Sequence, residues 1–151
     1  MPQLWRLYRA LHGPGLDGIG GTFAAGRWHS QGERVVYFGA SAAIVVLERL
    51  AHTDPDLLPS DLRLGLFEVP DGKESPTVTN LGAPPSDWIR NESWSRNIGD
   101  LWIRAKSSCL LAVPSVILPE EANYVFNPRH PVAKSLRLIR ERPFSFDPRL
   151  I

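Results

Sequence analysis

Apolar and polar positions alternate from Leu4 to Arg9 (LWRLYR), and this period of two, with two aromatics in it, predicts a strand near the N-terminus. Arg6 then projects off an otherwise apolar sheet. Val35 to Phe38 (VVYF) is a β-branched and aromatic run between Gly32 and Gly39, which predicts a buried strand. Ser41 follows as an N-cap, and Ala42 to His52 has the formers of a helix. On that helix Ile44, Leu47 and Ala51 fall on one stripe, with Glu48 among them on the core side and Arg49 on the surface side. Leu62, Leu64 and Leu66 recur at period two within Asp61–Val69, a half-buried strand ended by Pro70 and an Asp71-Gly72 turn. The residues after it, with Pro76, Pro84 and Pro85, are read mostly as connection. Trp94, Ile98, Leu101, Trp102 and Ala105 recur at helical spacing, although Gly99 weakens that helix. Cys109 to Val113 is a short apolar strand stopped by Pro114, Ser115 to Leu118 continues extended to Pro119, and Ser135 to Ile139 is the last strand. Pro143 to Ile151 is expected to be an ordered closing segment.

Fourteen prolines and twelve glycines break these 151 residues into short segments, which points to an α+β fold in a single domain spanning 1–151. Hydrophobic residues make up 43% of the chain, enough for one core. The formal net charge of +1 supplies no overall field, so direct nucleic-acid binding and attraction to an anionic membrane are not expected. The longest apolar run, Ala42 to Leu47, is far short of a membrane span. A single cysteine, Cys109, makes no internal disulfide, and no apolar leader follows a charged start, so the cytoplasm is the expected compartment.

Gly13, Gly15 and Gly18 spell GxGxxG within a segment from Gly13 to Gly26 that carries six glycines too close together for a regular element. A dinucleotide-binding turn needs a strand directly before the glycines and a helix opening at the last one, and Pro14 and further glycines break that context. The segment is read as a loop that either lets backbone approach a ligand or simply connects. Arg27 beside Trp28 suits two roles: a guanidinium that holds phosphate while the indole packs beneath, or a surface ion pair. Tyr37 reads as a core aromatic with a bonded hydroxyl. Glu48 on an apolar face requires either a partner, such as an arginine, or a chemical task. Ser115 has no nucleophile elbow around it and is read as a hydrogen-bonding residue. Cys109 reads as a small buried hydrophobe, and the four histidines show no metal-ligand spacing, so no metal site is expected. Asn123 and Asn127, in NYVFNPRHP, mark a polar turn.

Taken together these residues resemble the RES domain family, named for its Arg, Glu and Ser. GGTFAAGRWHSQGERVVYFGASAAIVVLERLAH resembles the family's opening block, with Arg27, Tyr37 and Glu48 at intervals of ten and eleven. VPSVILPEEANYVFNP and PFSFDPRL resemble its second half and place the serine at Ser115 and a recurring asparagine at Asn127. The resemblance runs from about Trp5 to Leu150; His29 departs from it, standing where the family usually has Asn. It implies a mixed, strongly bent sheet similar to that of ADP-ribosyltransferase toxins. It also implies the toxin half of a toxin-antitoxin pair, forming a hetero-oligomer with an Xre-type antitoxin that carries a DNA-binding domain. Members consume NAD+ as a substrate, with no further cofactor. Some release nicotinamide with water or phosphate as acceptor, and others transfer ADP-ribose to a protein. The implied roles are Glu48 for the charge developing on the ribose, Arg27 for the diphosphate, Tyr37 for the nicotinamide ribose half and Ser115 for a positioning hydrogen bond. Arg6, Trp28 and Asn127 are implied as further substrate contacts. A binding module that holds a nucleotide without turning it over is the alternative outside enzymology.

Overall fold

The alternation at the N-terminus builds the first strand, β1 (Leu4–Arg9), as the side-chain pattern predicts. The computed structural model describes residues 2–71 and 77–151, so Gly72 of the expected Asp71-Gly72 turn and Pro76 lie outside the described residues. After β1 come α1 (Gly20–Phe23), β2 (Val36–Gly39), α2 (Ala42–His52), β3 (Leu62–Glu68), β4 (Val78–Asn80), α3 (Glu92–Ala105), β5 (Leu110–Pro114), β6 (Ala122–Phe126) and β7 (Arg137–Pro143). Among the described residues the strands form one mixed sheet in the order β4-β5-β6-β2-β1-β3-β7, antiparallel except for the β4–β5 pair. β1 and β3 pair along six positions, but β1 and β2 share one register pair, Trp5 with Gly39. The sheet is therefore two well-paired halves held together by a narrow seam.

α2 has the predicted bounds, and Ser41 caps it by accepting from the Ile44 N–H at 3.2 Å, an interaction worth about 1 kcal/mol. Gly39 lets the first turn of α2 press on the seam, because a Cβ there would run into Val45 and Ile44. Ala42, Val45, Val46 and Leu50 pack on Leu7, Leu62, Leu64 and Phe146 of the β1–β3 half. The expected stripe is corrected accordingly: Ile44 is buried, but Ala51 is exposed and Leu47 only partly covered. A helical wheel assumes one core side, whereas α2 has the sheet on one flank and a cavity on another.

Several segments differ from the sequence reading. Gly20–Phe23 forms a single helical turn inside the glycine-rich loop. β3 is covered on both faces, Leu62 and Leu64 on the α2 side and Phe67 and Val69 in a second cluster. Residues 78–80 form a short strand instead of connection. Ser115 to Leu118 bends, because the Ser115 hydroxyl oxygen accepts from the N–H groups of Ile117 and Leu118 at 3.1 and 3.2 Å. Asn123 lies within β6 and not in a turn. β7 begins at Arg137 and runs on to Pro143, since Ser135 is held in a tight turn and the register along β3 extends to Arg63. Proline is tolerated at the end of this edge strand.

α3 forms where the spacing predicts a helix, but Leu101 and Ala105 of the expected stripe are exposed; the helix is capped by Asn91 and ends at Lys106 in the left-handed conformation, φ 51°. Its Gly99 has a packing reason: a Cβ there would run into the Trp28 carbonyl oxygen, so the helix lies directly on the backbone that carries Arg27 and Trp28. Ser95 and Asp100 of α3 hold the same stretch, the first donating to Arg27 O and the second accepting from Ser30 N–H. Replacing Gly99 by Ala should cost about 1–3 kcal/mol or more, since the obstacle is backbone that cannot rotate away. Gly82→Ala, with open space at its Cβ, should stay within about 0.5 kcal/mol of wild type. Urea denaturation midpoints of the two variants check both values.

Candidate active site

A cavity of about 740 Å³ opens at the β1–β2 seam, within the size range of small-molecule sites. α2 forms one wall, α3 and the Gly26–Trp28 stretch another, and Arg6, Tyr37 and Asn123 contribute from the strands. Among the described residues no group of three or more His, Cys, Asp or Glu converges as a metal site, and no helix is long and apolar enough to cross a membrane.

Glu48 projects into this cavity from the middle of α2, and among the described residues no arginine pairs with it. Its Oε1 accepts from Ser115 Oγ at 2.7 Å and from Asn123 Nδ2 at 2.9 Å. The Ser115 oxygen already accepts two backbone N–H groups, so its single hydroxyl proton is directed to Glu48. His52, one turn on, donates from Nδ1 to the Glu48 carbonyl oxygen at 2.7 Å and stands 4.0 Å from Oε2. Oε1 is thus saturated and Oε2 is the oxygen left for a ligand. The carboxylate is held from behind by the bend after β5 and by β6, with 27% of its side chain still exposed. Ser115 itself is fully buried and acts through Glu48.

Tyr37 lies under the cavity with its hydroxyl spoken for. His29 Nε2 lies 2.9 Å from the Ala24 carbonyl, an acceptor, so that nitrogen carries the proton and Nδ1 is the acceptor. Tyr37 therefore donates to His29 Nδ1 at 2.7 Å and accepts from Trp28 N–H at 3.2 Å. Burial pushes the phenol well above its ordinary range, against the opposing pull of the Trp28 N–H. His29, the departure from the family pattern, is thus the acceptor that orients Tyr37, and it is 4% exposed.

Arg27 lines the cavity, with Nη2 donating to the carbonyls of Trp88 and Ile89, both at 2.6 Å, and Nη1 standing 3.7 Å from Glu92. Its guanidinium lies over the ring of Trp88, 5.6 Å from the centroid, and not over Trp28 as the adjacency suggests. Trp28 lines the cavity but is 3% exposed, and its indole packs against Trp88 and Trp94, with ring centroids 6.1 and 5.9 Å away, bracing the Arg27 wall. Arg6 crosses the seam: Nε donates to Pro14 O at 2.8 Å and Nη1 to Tyr37 O at 2.9 Å. It ties the glycine-rich loop, whose Gly13, Gly15 and Gly18 all have φ between 64° and 71°, to the second strand. Burial, and secondarily the charge of Arg49, lower the Arg6 pKa to about 10, so it stays cationic at neutral pH.

Asn127 does not line the cavity. It is fully buried, donating to Ile103 O at 3.0 Å and accepting from Arg129 N–H, and it ties α3 to the end of β6. Several polar cavity residues escaped the sequence reading, His52, Glu92 and Arg96 among them, and two more bear on the site's chemistry. Asn123 had a usable signal, since asparagine is depleted in strands and here interrupts an apolar run. Arg49, assigned to the surface, lines the cavity beside Glu48. Cys109 is buried as expected, and burial pushes its thiol up to about 12.

The arrangement resembles known proteins over its whole length. The RES domain family model matches residues 3–147. A Pseudomonas putida protein named Toxin Res is 38% identical over 97% of this chain and 98% of its own length. The Prs ADP-ribosylating toxin of Sphingobium sp. (strain YBL2) is 35% identical over 99% of this chain and 96% of its own. Among solved structures, the crystal structure of the M. tuberculosis MbcT-MbcA toxin-antitoxin complex includes a similar fold, with a TM-score of 0.73 at 18% identity, covering 95% of this chain and 84% of that one. One mixed sheet, a cavity at its seam and matches that run nearly end to end agree: the chain belongs to the RES domain family.

Proposed function

We propose that the protein is the toxin of a toxin-antitoxin pair and that it cleaves the bond between nicotinamide and ribose in NAD+. The observation that carries this reading is Glu48, a carboxylate with one oxygen held by Ser115 and Asn123 and the other open to a cavity lined by arginines. In NAD+ the nicotinamide is already cationic, so the bonding pair leaves with its ring nitrogen and no general acid is required, unlike an ordinary glycoside. Positive charge then develops at the anomeric carbon. Glu48 Oε2 stabilises that charge or binds the ribose hydroxyl, a preorganised electrostatic contribution made without reorganising the protein. Arg27 presents its Nη1 edge to the diphosphate, and the Tyr37 ring packs on the nicotinamide ribose half. The Tyr37 proton belongs to His29, so Tyr37 orients substrate and does not supply acid. Ser115 and Asn123 are positioning residues.

Water or phosphate completes the reaction by bonding to the anomeric carbon and losing a proton to solvent. A protein nucleophile in the same place would make the enzyme an ADP-ribosyltransferase, and the name of the Sphingobium relative favours that second reading. Labelled NAD+ would then mark one host protein. The partner is an Xre-type antitoxin carrying a DNA-binding domain, which covers the cavity around Arg27 and Glu48 in a cytoplasmic hetero-oligomer. The likeness to a solved toxin-antitoxin complex supports an antitoxin partner.

Expression of the wild-type chain should arrest growth and deplete cellular NAD+, and Glu48→Gln, with its charge removed, should do neither. The expected loss of turnover is about 10²–10³-fold, the usual effect of removing one preorganised electrostatic contact. Retained toxicity in Glu48→Gln at equal protein level would contradict the assignment. Ser115→Ala and Asn123→Ala should each lower kcat about tenfold with KM little changed, because each frees Oε1 of one restraint and touches no substrate. Steady-state kinetics of folded variants check this, and a rise in KM at constant kcat would make them binding residues instead.

A further inference from the structure

Arg49 is a charged cavity residue to which the chemistry above gives no task. Its Nε is buried with no hydrogen-bond partner, and among the described residues it forms no ion pair. The charge of Arg9, itself paired with Asp61 at 2.9 Å, bears on Arg49, and that of Arg49 bears on Arg6. Arg49 is half-buried, with its Nε out of water, and a guanidinium partly withdrawn from water without a counter-charge is stabilised by a ligand that supplies one.

The two walls of the cavity differ in this respect. On the α3 wall, Glu92 sits between Arg27 and Arg96, 3.7 and 3.1 Å away, and offsets their charge. Among the described residues no carboxylate on the β1–α2 wall pairs with Arg6 or Arg49. Arg6 spends Nε and Nη1 on carbonyls and keeps Nη2 free, beside Gly15. Four lining arginines against Glu48 and Glu92 leave a formal surplus of +2, and the uncompensated part of it lies at Arg6 and Arg49. A dianion with oxygens spaced for several guanidinium contacts matches that surplus.

We propose that Arg49, with the free Nη2 edge of Arg6, forms a phosphate subsite on the β1–α2 wall that grips the substrate diphosphate from the side away from Arg27. The identity of the ligand rests on the function proposed above; the subsite does not require that the bond be cleaved. Because α2 carries both Glu48 and Arg49, holding the diphosphate at Arg49 fixes the ribose relative to Oε2 through one rigid helix. Arg49 is then a specificity-determining residue that selects diphosphate-bearing ligands.

The test titrates wild type, Arg49→Gln and Arg49→Lys calorimetrically with inorganic diphosphate and with ADP-ribose, and records thermal midpoints without ligand. Arg49→Gln should lose affinity for both ligands by about tenfold or more, the loss expected of a charge-assisted contact. Arg49→Lys should fall between, keeping the charge and losing the fork. The ligand-free midpoint of Arg49→Gln should equal or exceed that of wild type, because a half-buried charge without an ion pair is removed. Unchanged diphosphate affinity in Arg49→Gln would overturn the proposal, as would failure of wild type to bind either ligand. A lower midpoint with unchanged affinity would also overturn it, by giving Arg49 a purely structural role. Wild type that binds diphosphate through Arg49 but releases no nicotinamide would remove the cleavage reading and leave the subsite standing.

Discussion

The site depends on two hydrogen bonds to one oxygen. Glu48 Oε1 accepts from Ser115 and Asn123, and these donors come from the bend after β5 and from β6, while Glu48 itself comes from α2. A glutamate on a helix has three rotatable bonds, and in an open cavity solvent would leave it free among rotamers. Two donors fixed by backbone remove that freedom, so the position of Oε2 is set before any ligand arrives. The bend that buries Ser115 exists because its hydroxyl accepts two backbone N–H groups, which in turn aims its only proton at Glu48. Local turn chemistry and carboxylate placement are thus one device.

The fold supplies the place for this device through its narrow seam. β1 and β2 share one register pair, so the sheet offers an opening that a fully paired ladder would fill. Arg6 spans that opening with bonds to Pro14 and Tyr37, and Gly39 lets α2 settle against it. On the other side Gly99 permits α3 to touch the Trp28 backbone, with Ser95, Asp100 and the tryptophans fixing Arg27. The cavity walls are rigid elements, as precise positioning of reacting groups requires.

Much of this was legible in the chain. Ser41 and the formers after it gave α2 its true bounds, the alternation at Leu4–Arg9 gave β1, and the position of Glu48 on an apolar helix marked a carboxylate in need of a partner or task. Arg27, Tyr37 and Ser115 came together through family resemblance, since nothing in periodicity links positions so far apart. What failed did so for physical reasons. Short β4 and the asparagine-containing β6 carry weak strand signals, and long-range pairing decides them. Arg49 was assigned to the surface because a wheel with one core side has no category for a helix that also borders a cavity. Asn127 resembled a substrate contact, yet its side chain is spent joining α3 to β6.

The central claim is that Glu48, fixed through Oε1, serves cleavage of the nicotinamide-ribose bond. Proton NMR of NAD+ incubated with the purified chain, in buffer with and without phosphate, tests it most directly. The account predicts free nicotinamide in step with ADP-ribose or its 1″-phosphate, the product naming the acceptor. An unchanged NAD+ spectrum in both buffers from folded protein would contradict it.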